Sequence, residues 1–329
     1  MSTLIDRIET RPTSGRTGLD DTTPAERLRT TMAACRVSFR WWGTQKTLTP
    51  EQRAVAAEAF DAEGQFLSAG KRLLDTKHTA FRSVTAIRTK VTDYWKVLTL
   101  PFPEPGVRLI KQEKLEEFAA TLADYRVELA DAVAELDRHF AELKQVARQR
   151  LGSLYLDADY PQTLVGLFDV QCDFPSVQPP DYLMQLSPAL YEQERARMEA
   201  RFEEAVELAE RAFTEEFARL VEHLTERITG TGEDGQPRVF RDSAVANLSD
   251  FFARFRELNV RSNAQLDELV EQAQRAVRGV AAQDLRDSQA LRHRVAGQLA
   301  QVQSALDGML VERPRRRILR QAQATGGSS

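Results

Sequence analysis

The chain has 329 residues, long enough for one to three domains and for a substantial buried core. Charged residues make up 29% of the chain and hydrophobic residues 42%, a balance that tends towards long, solvated helices. The first residues lack the cationic region and apolar run of a secretory signal, and no later stretch approaches the roughly 18 apolar residues of a transmembrane helix. We therefore expect a cytoplasmic protein without a membrane span.

The net charge of -4 conceals a strong separation of sign along the chain. Residues 36–111 carry 13 basic and 7 acidic side chains, a balance of +6. Residues 112–230 carry 12 basic and 25 acidic side chains, a balance of -13. This pattern indicates either self-complementarity or a basic face for an anionic partner.

No motif in the sequence predicts a catalytic residue, a metal site or a cofactor. The two cysteines, Cys35 and Cys172, lie far apart in apolar segments, which favours reduced core thiols over a disulfide or a zinc site. Of the four histidines, only His78 has an acidic residue three positions earlier, so the paired motifs of a di-iron helical bundle are missing. We expect a protein that is not an enzyme.

The N-terminal third combines an expected arm, a strand and a helix. Residues 1–33 contain scattered proline and glycine and no apolar periodicity, so we expect a mostly disordered arm. Apolar and polar residues then alternate from Cys35 to Trp41, which predicts a half-buried strand. Thr49 and Pro50 predict a helix start, and helical spacing continues to about Leu98, with an interruption expected near Gly64 or Gly70.

The clearest pattern is an apolar stripe between Leu115 and Val146. Apolar residues recur there in steps of three and four for more than four heptads, which is typical of a helix that packs along one seam. We expect this interaction seam to face a partner helix. Its residues are Leu115, Phe118, Leu122, Tyr125, Leu129, Leu136, Leu143 and Val146, with Ala132 and His139 on the same repeat.

The second half of the chain predicts one more long helix and three shorter ones. Apolar residues from Phe202 to Ile228 follow an 11-residue period within a helix expected over residues 188–228. This helix and the seam helix could pack as an antiparallel pair. Short strands are also expected at residues 107–110 and 167–174, and three C-terminal helices follow a glycine-containing turn near residue 230.

A group of cations near the first strand predicts a possible anion or nucleic-acid face. Basic side chains beside exposed aromatic rings can bind single-stranded nucleic acid through phosphate contacts and base stacking. The alternative is that the acidic helices neutralise these cations and that the tryptophans belong to the core. The residues of this expected basic face are Arg40, Trp42, Lys71, Arg72, Lys77, Arg82, Arg88 and Lys90.

The segment from Val37 to Gly43, followed by Lys46 to Thr49, resembles a family of uncharacterised bacterial and phage helical proteins that share a domain of unknown function. The resemblance continues through residues 100–103, 154–161 and 240–243, and covers roughly residues 34–260. Genes of that family often lie near MoxR-type AAA+ ATPases and proteins with von Willebrand factor A domains. The resemblance therefore implies a partner in an ATPase-driven assembly, and it implies no catalytic residue.

Together these patterns predict a mainly α protein with long, antiparallel, coiled-coil-like helices and a small accessory β element. The expected organisation is an arm over residues 1–33, a long-helix domain over 34–230, C-terminal helices over 231–312 and a basic, flexible tail over 313–329. The expected function is that of a non-enzymatic scaffold or adaptor that forms homo-oligomers or binds a protein partner through the seam. The alternative is a protein that binds single-stranded nucleic acid through the basic face.

Overall fold

A computed structural model of the protein describes residues 22–229 and 243–312. These residues form eleven α-helices and six β-strands, so the prediction of a mainly α fold with a small β element is confirmed. The helices are α1 (Pro24–Thr31), α2 (Pro50–Glu58), α3 (Thr79–Val97), α4 (Leu115–Arg138), α5 (Phe140–Leu151), α6 (Tyr182–Leu186), α7 (Pro188–Thr229), α8 (Ser243–Leu258), α9 (Ala264–Val277), α10 (Ala282–Asp287) and α11 (Gln289–Glu312). The strands are β1 (Met32–Arg40), β2 (Gln45–Thr47), β3 (Gly70–Arg72), β4 (Thr99–Pro101), β5 (Val107–Lys111) and β6 (Asp169–Asp173).

An antiparallel four-stranded sheet lies at the centre of the fold, with the strand order β4-β5-β1-β6. The alternation around Cys35 correctly predicts β1, and the short strands expected at 107–110 and 167–174 are β5 and β6. In the register, Cys35 lies opposite Arg108 and Val37 lies opposite Cys172. Strand β1 therefore joins two segments that are far from it in sequence.

The sheet separates two apolar cores because successive side chains of a strand point to opposite faces. On β1, Ala34 belongs to one core and Cys35 to the other, and Leu109 and Ile110 divide in the same way on β5. The first core contains α7, α8, α9 and α11 together with Leu28 of α1. The second core contains α3, α4 and α5. Both faces of the central strands are therefore covered by helices.

Helices α3 and α4 pack side by side and run antiparallel. Lys90 of α3 pairs with Glu128 of α4, and Tyr94, one turn later on α3, stacks on Phe118, more than two turns earlier on α4. The expected continuous helix from Leu115 to Val146 is interrupted at His139, where α4 ends and α5 begins. The antiparallel pair is formed by α3 and α4, whereas α7 packs mainly against α11, α1 and α8.

Helix α7 has 42 residues and is therefore about 63 Å long. Its buried face begins at Phe202, which packs against Phe102, and continues through Ala209, Phe217 and Leu224. Helices α1, α8 and α11 pack against α7. Burying a phenylalanine or leucine side chain in this way contributes about 1.5–3 kcal/mol to folding. From residue 188 to residue 201, by contrast, no side chain of α7 is buried.

The N-terminal arm begins its ordered structure earlier than expected. Residues 24–31, which we predicted to be disordered, form α1, and Thr23 caps this helix in a capping box with Glu26. Leu28 is buried in the first core, and the Arg27 guanidinium donates a hydrogen bond to the Val260 carbonyl at 2.7 Å. Sequence periodicity does not predict α1, because Leu28 is its one buried residue. Packing against the rest of the protein orders this helix.

The predicted helix between residues 50 and 98 is two helices separated by irregular chain and a strand. Thr49 caps α2 through a capping box with Gln52, as expected, but α2 ends at Glu58. Strand β3 then pairs with β2, which places Lys71 and Arg72 on a small hairpin-like sheet instead of on a helix. Helix α3 begins only at Thr79.

The expected domain boundary near residue 230 passes through one core. Helix α7 shares its buried face with α8, α9 and α11, so the C-terminal helices do not have a separate core within the described residues. The glycine-containing turn expected near residue 230 falls in residues 230–242, and the basic tail falls in residues 313–329. Both segments lie outside the described residues.

A leucine on the α4 stripe provides a test of this packing. Leu129 is 2% exposed, and Val127 on the same helix is 63% exposed. We expect Leu129→Ala to lower the free energy of unfolding by about 2–5 kcal/mol, because it leaves a cavity in the second core. We expect Val127→Ala to change it by less than about 0.5 kcal/mol. Urea unfolding followed by circular dichroism measures both values, and equal effects of the two substitutions would contradict the described packing.

Candidate functional site

The expected interaction seam lies inside the protein. Phe118, Leu122, Leu129, Leu136 and Leu143 are all buried in the second core. Leu115, Tyr125 and Val146 are half-buried. Helix α3 and strand β6 pack against α4, and the five buried seam residues belong to the second core of the chain. That the stripe forms an interaction surface stays a prediction.

The expected basic face is divided among several elements and is largely neutralised. Lys71 is buried, and Trp42 packs edge-on against Phe140 of α5. The Arg88 guanidinium lies over the rings of Phe39 and Trp41, at 5.1 and 5.4 Å from their centroids. These contacts occupy the aromatic rings that base stacking would need.

Two further cations of the expected basic face have partners within the chain, and the side chains of three others make no hydrogen bond or ion pair with a described residue. Lys90 pairs with Glu128 at 2.5 Å, and the Arg40 guanidinium donates to the Gly166 carbonyl at 3.0 Å. Arg72 and Lys77 line one open pocket of about 440 Å³ together with Arg150, which pairs with Asp75 at 2.8 Å. Arg82 is exposed on α3. The structure therefore brings Arg72 and Lys77 together and leaves the other residues of the face apart.

The most buried ionic group joins β2 and β3 to the loop that follows α5. Asp159 accepts a hydrogen bond from the Lys46 ammonium at 2.7 Å and forms an ion pair with the Lys71 ammonium at 2.6 Å. The side chains of Lys71 and Asp159 are only 2% and 4% exposed. The Lys71 ammonium also donates to the Leu154 carbonyl at 2.6 Å, and the Tyr160 hydroxyl donates to the Leu73 carbonyl at 2.9 Å. These contacts attach the loop that follows α5 to strands β2 and β3, and they hold Lys71 in an ion pair inside the protein.

The two lysines determine the ionisation of Asp159. Burial by itself raises the pKa of this carboxyl, but hydrogen bonds from Lys46 and Lys71 outweigh burial, so the pKa is lowered overall. The carboxylate is therefore charged at neutral pH and neutralises Lys71.

Two histidines and the two cysteines lie outside the Asp159 group. The rings of His78 and His139 lie 5.2 Å apart, and His139 contacts Glu135 at 3.2 Å. Within the described residues, however, no three histidine, cysteine, aspartate or glutamate side chains are placed to hold a metal ion. Cys35 and Cys172 are free, and burial raises the pKa of each thiol to about 11, which keeps the sulfur protonated and weakly nucleophilic.

An exposed apolar surface lies where α6 meets the start of α7. Tyr182, Met184, Leu186 and Leu190 have exposed fractions of 60%, 51%, 77% and 42%, and we refer to these four residues as the α6–α7 surface. Exposed apolar side chains that together form a large patch mark interaction sites in soluble proteins. Periodicity misses this surface because α6 has only five residues, too few to establish a helical repeat.

A groove of about 460 Å³ adjoins the α6–α7 surface. Val177, Tyr191 and Met198 contribute apolar area to this groove, and Arg195 and Glu199 lie along it. Ser187 starts α7 by accepting a hydrogen bond from the Leu190 amide at 3.4 Å, with Pro188 at the first helical position. The local sequence thus fixes the angle at which α6 turns into α7.

Comparisons with known proteins identify no relative of this chain, since no family model, curated protein or solved structure matches it. The resemblance to the bacterial and phage family therefore stays a prediction. No helix within residues 22–229 and 243–312 has the length and apolar character needed to cross a membrane.

The Asp159 pair predicts a pH-dependent loss of stability in a single variant. We expect Asp159→Asn to lower the free energy of unfolding by about 3–5 kcal/mol at pH 7, because it leaves the buried Lys71 charge without its counter-ion. The wild-type carboxylate makes its full contribution to the free energy of unfolding above its unfolded-state pKa of about 3.9. This contribution is lost as the pH falls through the folded-state pKa, which is lower. The difference between the two proteins should therefore shrink below about pH 4.

The control for this experiment is Asp157→Asn, because Asp157 lies in the same turn but is exposed. Its unfolding free energy should differ from that of the wild type by less than about 0.5 kcal/mol. Urea titrations at a series of pH values give both differences. A loss of stability for Asp159→Asn that does not change with pH would argue against the charged pair.

Proposed function

We propose that the protein is a non-enzymatic scaffold that assembles through the α6–α7 surface. The observation that carries this proposal is the joint exposure of Tyr182, Met184, Leu186 and Leu190, at 42% or more each, on a chain whose long apolar stripes are otherwise covered. Water contact with these side chains is unfavourable, and their burial against another chain would contribute about 1.5–3 kcal/mol for each fully covered side chain. Assembly is the process that removes this exposed area.

The occupant that we propose for this surface is a second copy of the chain. Residues 188–201 carry three glutamates and three arginines, so this part of α7 has no net charge and two copies would not repel each other. Most of these charges are already paired along the helix, for example Arg195 with Glu199 at 3.2 Å and Arg197 with Glu194 at 3.5 Å. A two-fold contact places the same apolar patch on both chains, which suits a neutral surface of this kind.

The size of a stable interface sets a further requirement. Specific dimers bury about 1,200–2,000 Å² in total, more than four side chains on each chain supply. The groove lined by Val177, Tyr191 and Met198 adjoins the surface and offers additional apolar area. We therefore expect the exposed first turns of α7 to lie across this groove of the partner chain.

An AAA+ ATPase is the second partner that we propose, and this part rests on the family resemblance alone. A scaffold that contains two or more copies of the chain presents the same binding surface to the ATPase more than once. We also propose a cytoplasmic location for the protein.

Binding of single-stranded nucleic acid has less support. Of the eight residues of the expected basic face, only Arg72 and Lys77 line a common pocket, and the neighbouring aromatic rings pack within the chain. The acidic segment neutralises two of these cations, since Asp159 pairs with Lys71 and Glu128 pairs with Lys90.

Charged substitutions on the α6–α7 surface test the scaffold proposal. We expect size-exclusion chromatography with light scattering to give the wild type a mass of twice the 37.2 kDa chain. Leu186→Asp combined with Leu190→Asp should give the mass of a single chain, because buried carboxylates oppose the contact. Both residues are exposed, so the variant should keep the circular dichroism spectrum and unfolding midpoint of the wild type.

The matched control adds the same two charges on another helix. Gln265 and Gln274 of α9 are exposed and have no side-chain partner among the described residues. Gln265→Asp combined with Gln274→Asp should leave the assembled mass unchanged. A wild type that stays monomeric at high micromolar concentration would refute the self-assembly proposal, as would dissociation of this control variant.

A further inference from the structure

A second open site lies at the edge of the central sheet, and we refer to it as the β4 cleft. This cleft has a volume of about 400 Å³ and is bounded by strand β4, the C-terminal end of α3, and helices α7 and α8. Val97, Pro101 and Ala212 contribute apolar lining. The charged residues that line it are Asp93, Lys96, Arg108, Glu216, Arg219 and Arg254.

Arg108 is a largely covered guanidinium without a carboxylate partner. Its Nε–H donates to the Thr99 hydroxyl at 2.6 Å, and its Nη2–H donates to the Thr99 carbonyl at 2.9 Å. Its guanidinium carbon also lies 5.9 Å from the centre of the Trp95 ring. These partners are neutral, and no salt bridge joins Arg108 to any described acidic residue. Charged groups that leave water are normally paired with a group of opposite charge. Arg108 is not paired in this way with any described carboxylate.

The contact with Thr99 gives Arg108 a structural role at the end of α3. The Thr99 hydroxyl donates to the Trp95 carbonyl at 2.5 Å, so Arg108 and Thr99 together complete the C-terminal end of this helix. Carbonyl groups at a helix end carry only a partial negative charge. Completing the end of α3 therefore explains where Arg108 lies. The partial charges of the carbonyl groups do not balance the full positive charge of its guanidinium.

Three more cations surround the same cleft. Arg254 of α8 pairs with Glu216 of α7 and also lies over the Phe213 ring at 5.8 Å from its centroid. The side chains of Lys96 and Arg219 make no ion pair or hydrogen bond with any described residue. Four cations and two carboxylates thus line the cleft, which gives it a net charge of +2.

Burial is the main effect that works against the charge on Arg108. It lowers the pKa of the guanidinium; the Cys35 thiol opposes this shift, and Arg254 adds to it. An anion in the cleft would relieve both effects. A guanidinium presents a planar fork of donors that matches the oxygen atoms of a phosphate group.

We infer that the β4 cleft binds a phosphomonoester, with the phosphate dianion among Arg108, Arg219, Arg254 and Lys96 and an apolar organic group against Val97, Pro101 and Ala212. A dianion matches the net charge of the cleft. The apolar lining distinguishes an organic phosphate from free inorganic phosphate. This inference does not depend on the scaffold proposal, because the cleft and the α6–α7 surface share no residue.

Titration calorimetry of the full chain at low ionic strength tests the inference with three probes. Phenyl phosphate should bind more tightly than inorganic phosphate, because only the former has an apolar ring. Phenyl phosphate should also bind more tightly than benzoate, whose carboxylate carries a single charge. Lys96→Gln combined with Arg219→Gln should weaken phenyl phosphate binding about tenfold or more, since each removes a charged hydrogen-bond donor.

The matched control is Arg82→Gln combined with Arg211→Gln. These exposed residues lie on the same two helices, α3 and α7, outside the cleft, so the control removes the same charge from the protein. The control variant should bind phenyl phosphate like the wild type. The inference is overturned if the wild type binds no phenyl phosphate, if benzoate binds as tightly, if inorganic phosphate binds as tightly, or if the control weakens binding as much as the cleft variant.

Discussion

Strand β1 has apolar side chains on both of its faces, and this constrains the rest of the architecture. Ala34 points to one side of the sheet and Cys35 to the other, and each side must be shielded from water. Helices α3, α4 and α5 cover one face, and α7 with the C-terminal helices covers the other. The long helices are therefore the two outer layers of a single three-layer structure, and their apolar stripes are satisfied by the sheet and by neighbouring helices.

The separation of charge along the sequence follows from the same arrangement. Basic residues before residue 111 meet acidic residues after residue 112 across the folded chain, as Lys71 meets Asp159 and Lys90 meets Glu128. Of the two explanations that the charge pattern left open, self-complementarity accounts for these cations. The β4 cleft is an exception, because its cations outnumber its carboxylates. The pocket lined by Arg72, Lys77 and Arg150 is another, with Asp75 as its one lining carboxylate.

The sequence predicts elements whose side-chain pattern is long enough to show a period. The alternation around Cys35 predicts β1, and the repeat from Phe202 to Ile228 predicts the buried face of α7. Strands β2 and β3 have three residues each, which is too short for any period. Periodicity also identifies which side of α4 is buried, but it is the same whether the cover comes from α3 of the same chain or from another molecule.

The candidate sites were harder to predict for a related reason. The α6–α7 surface depends on which apolar residues remain uncovered, and that is a property of the whole fold. The β4 cleft combines residues 93–108, from α3 to β5, with residues 209–258 of α7 and α8, and the two groups are separated by about a hundred residues in the sequence. Arg108 by itself looks like an ordinary strand residue, and only its lack of a carboxylate partner distinguishes it.

The pairing of β1 with β6 has a consequence for biosynthesis. Residues 36–40 pair with residues 169–173, so β1 leaves the ribosome more than a hundred residues before its partner strand. At about 5–20 residues per second, one edge of β1 waits for several seconds or longer without its hydrogen-bonding partner. Pairing between such distant segments also slows folding in general. A nascent chain of this protein therefore passes through a period in which an apolar strand is open to association with other chains, and chaperone contact is most valuable at that stage.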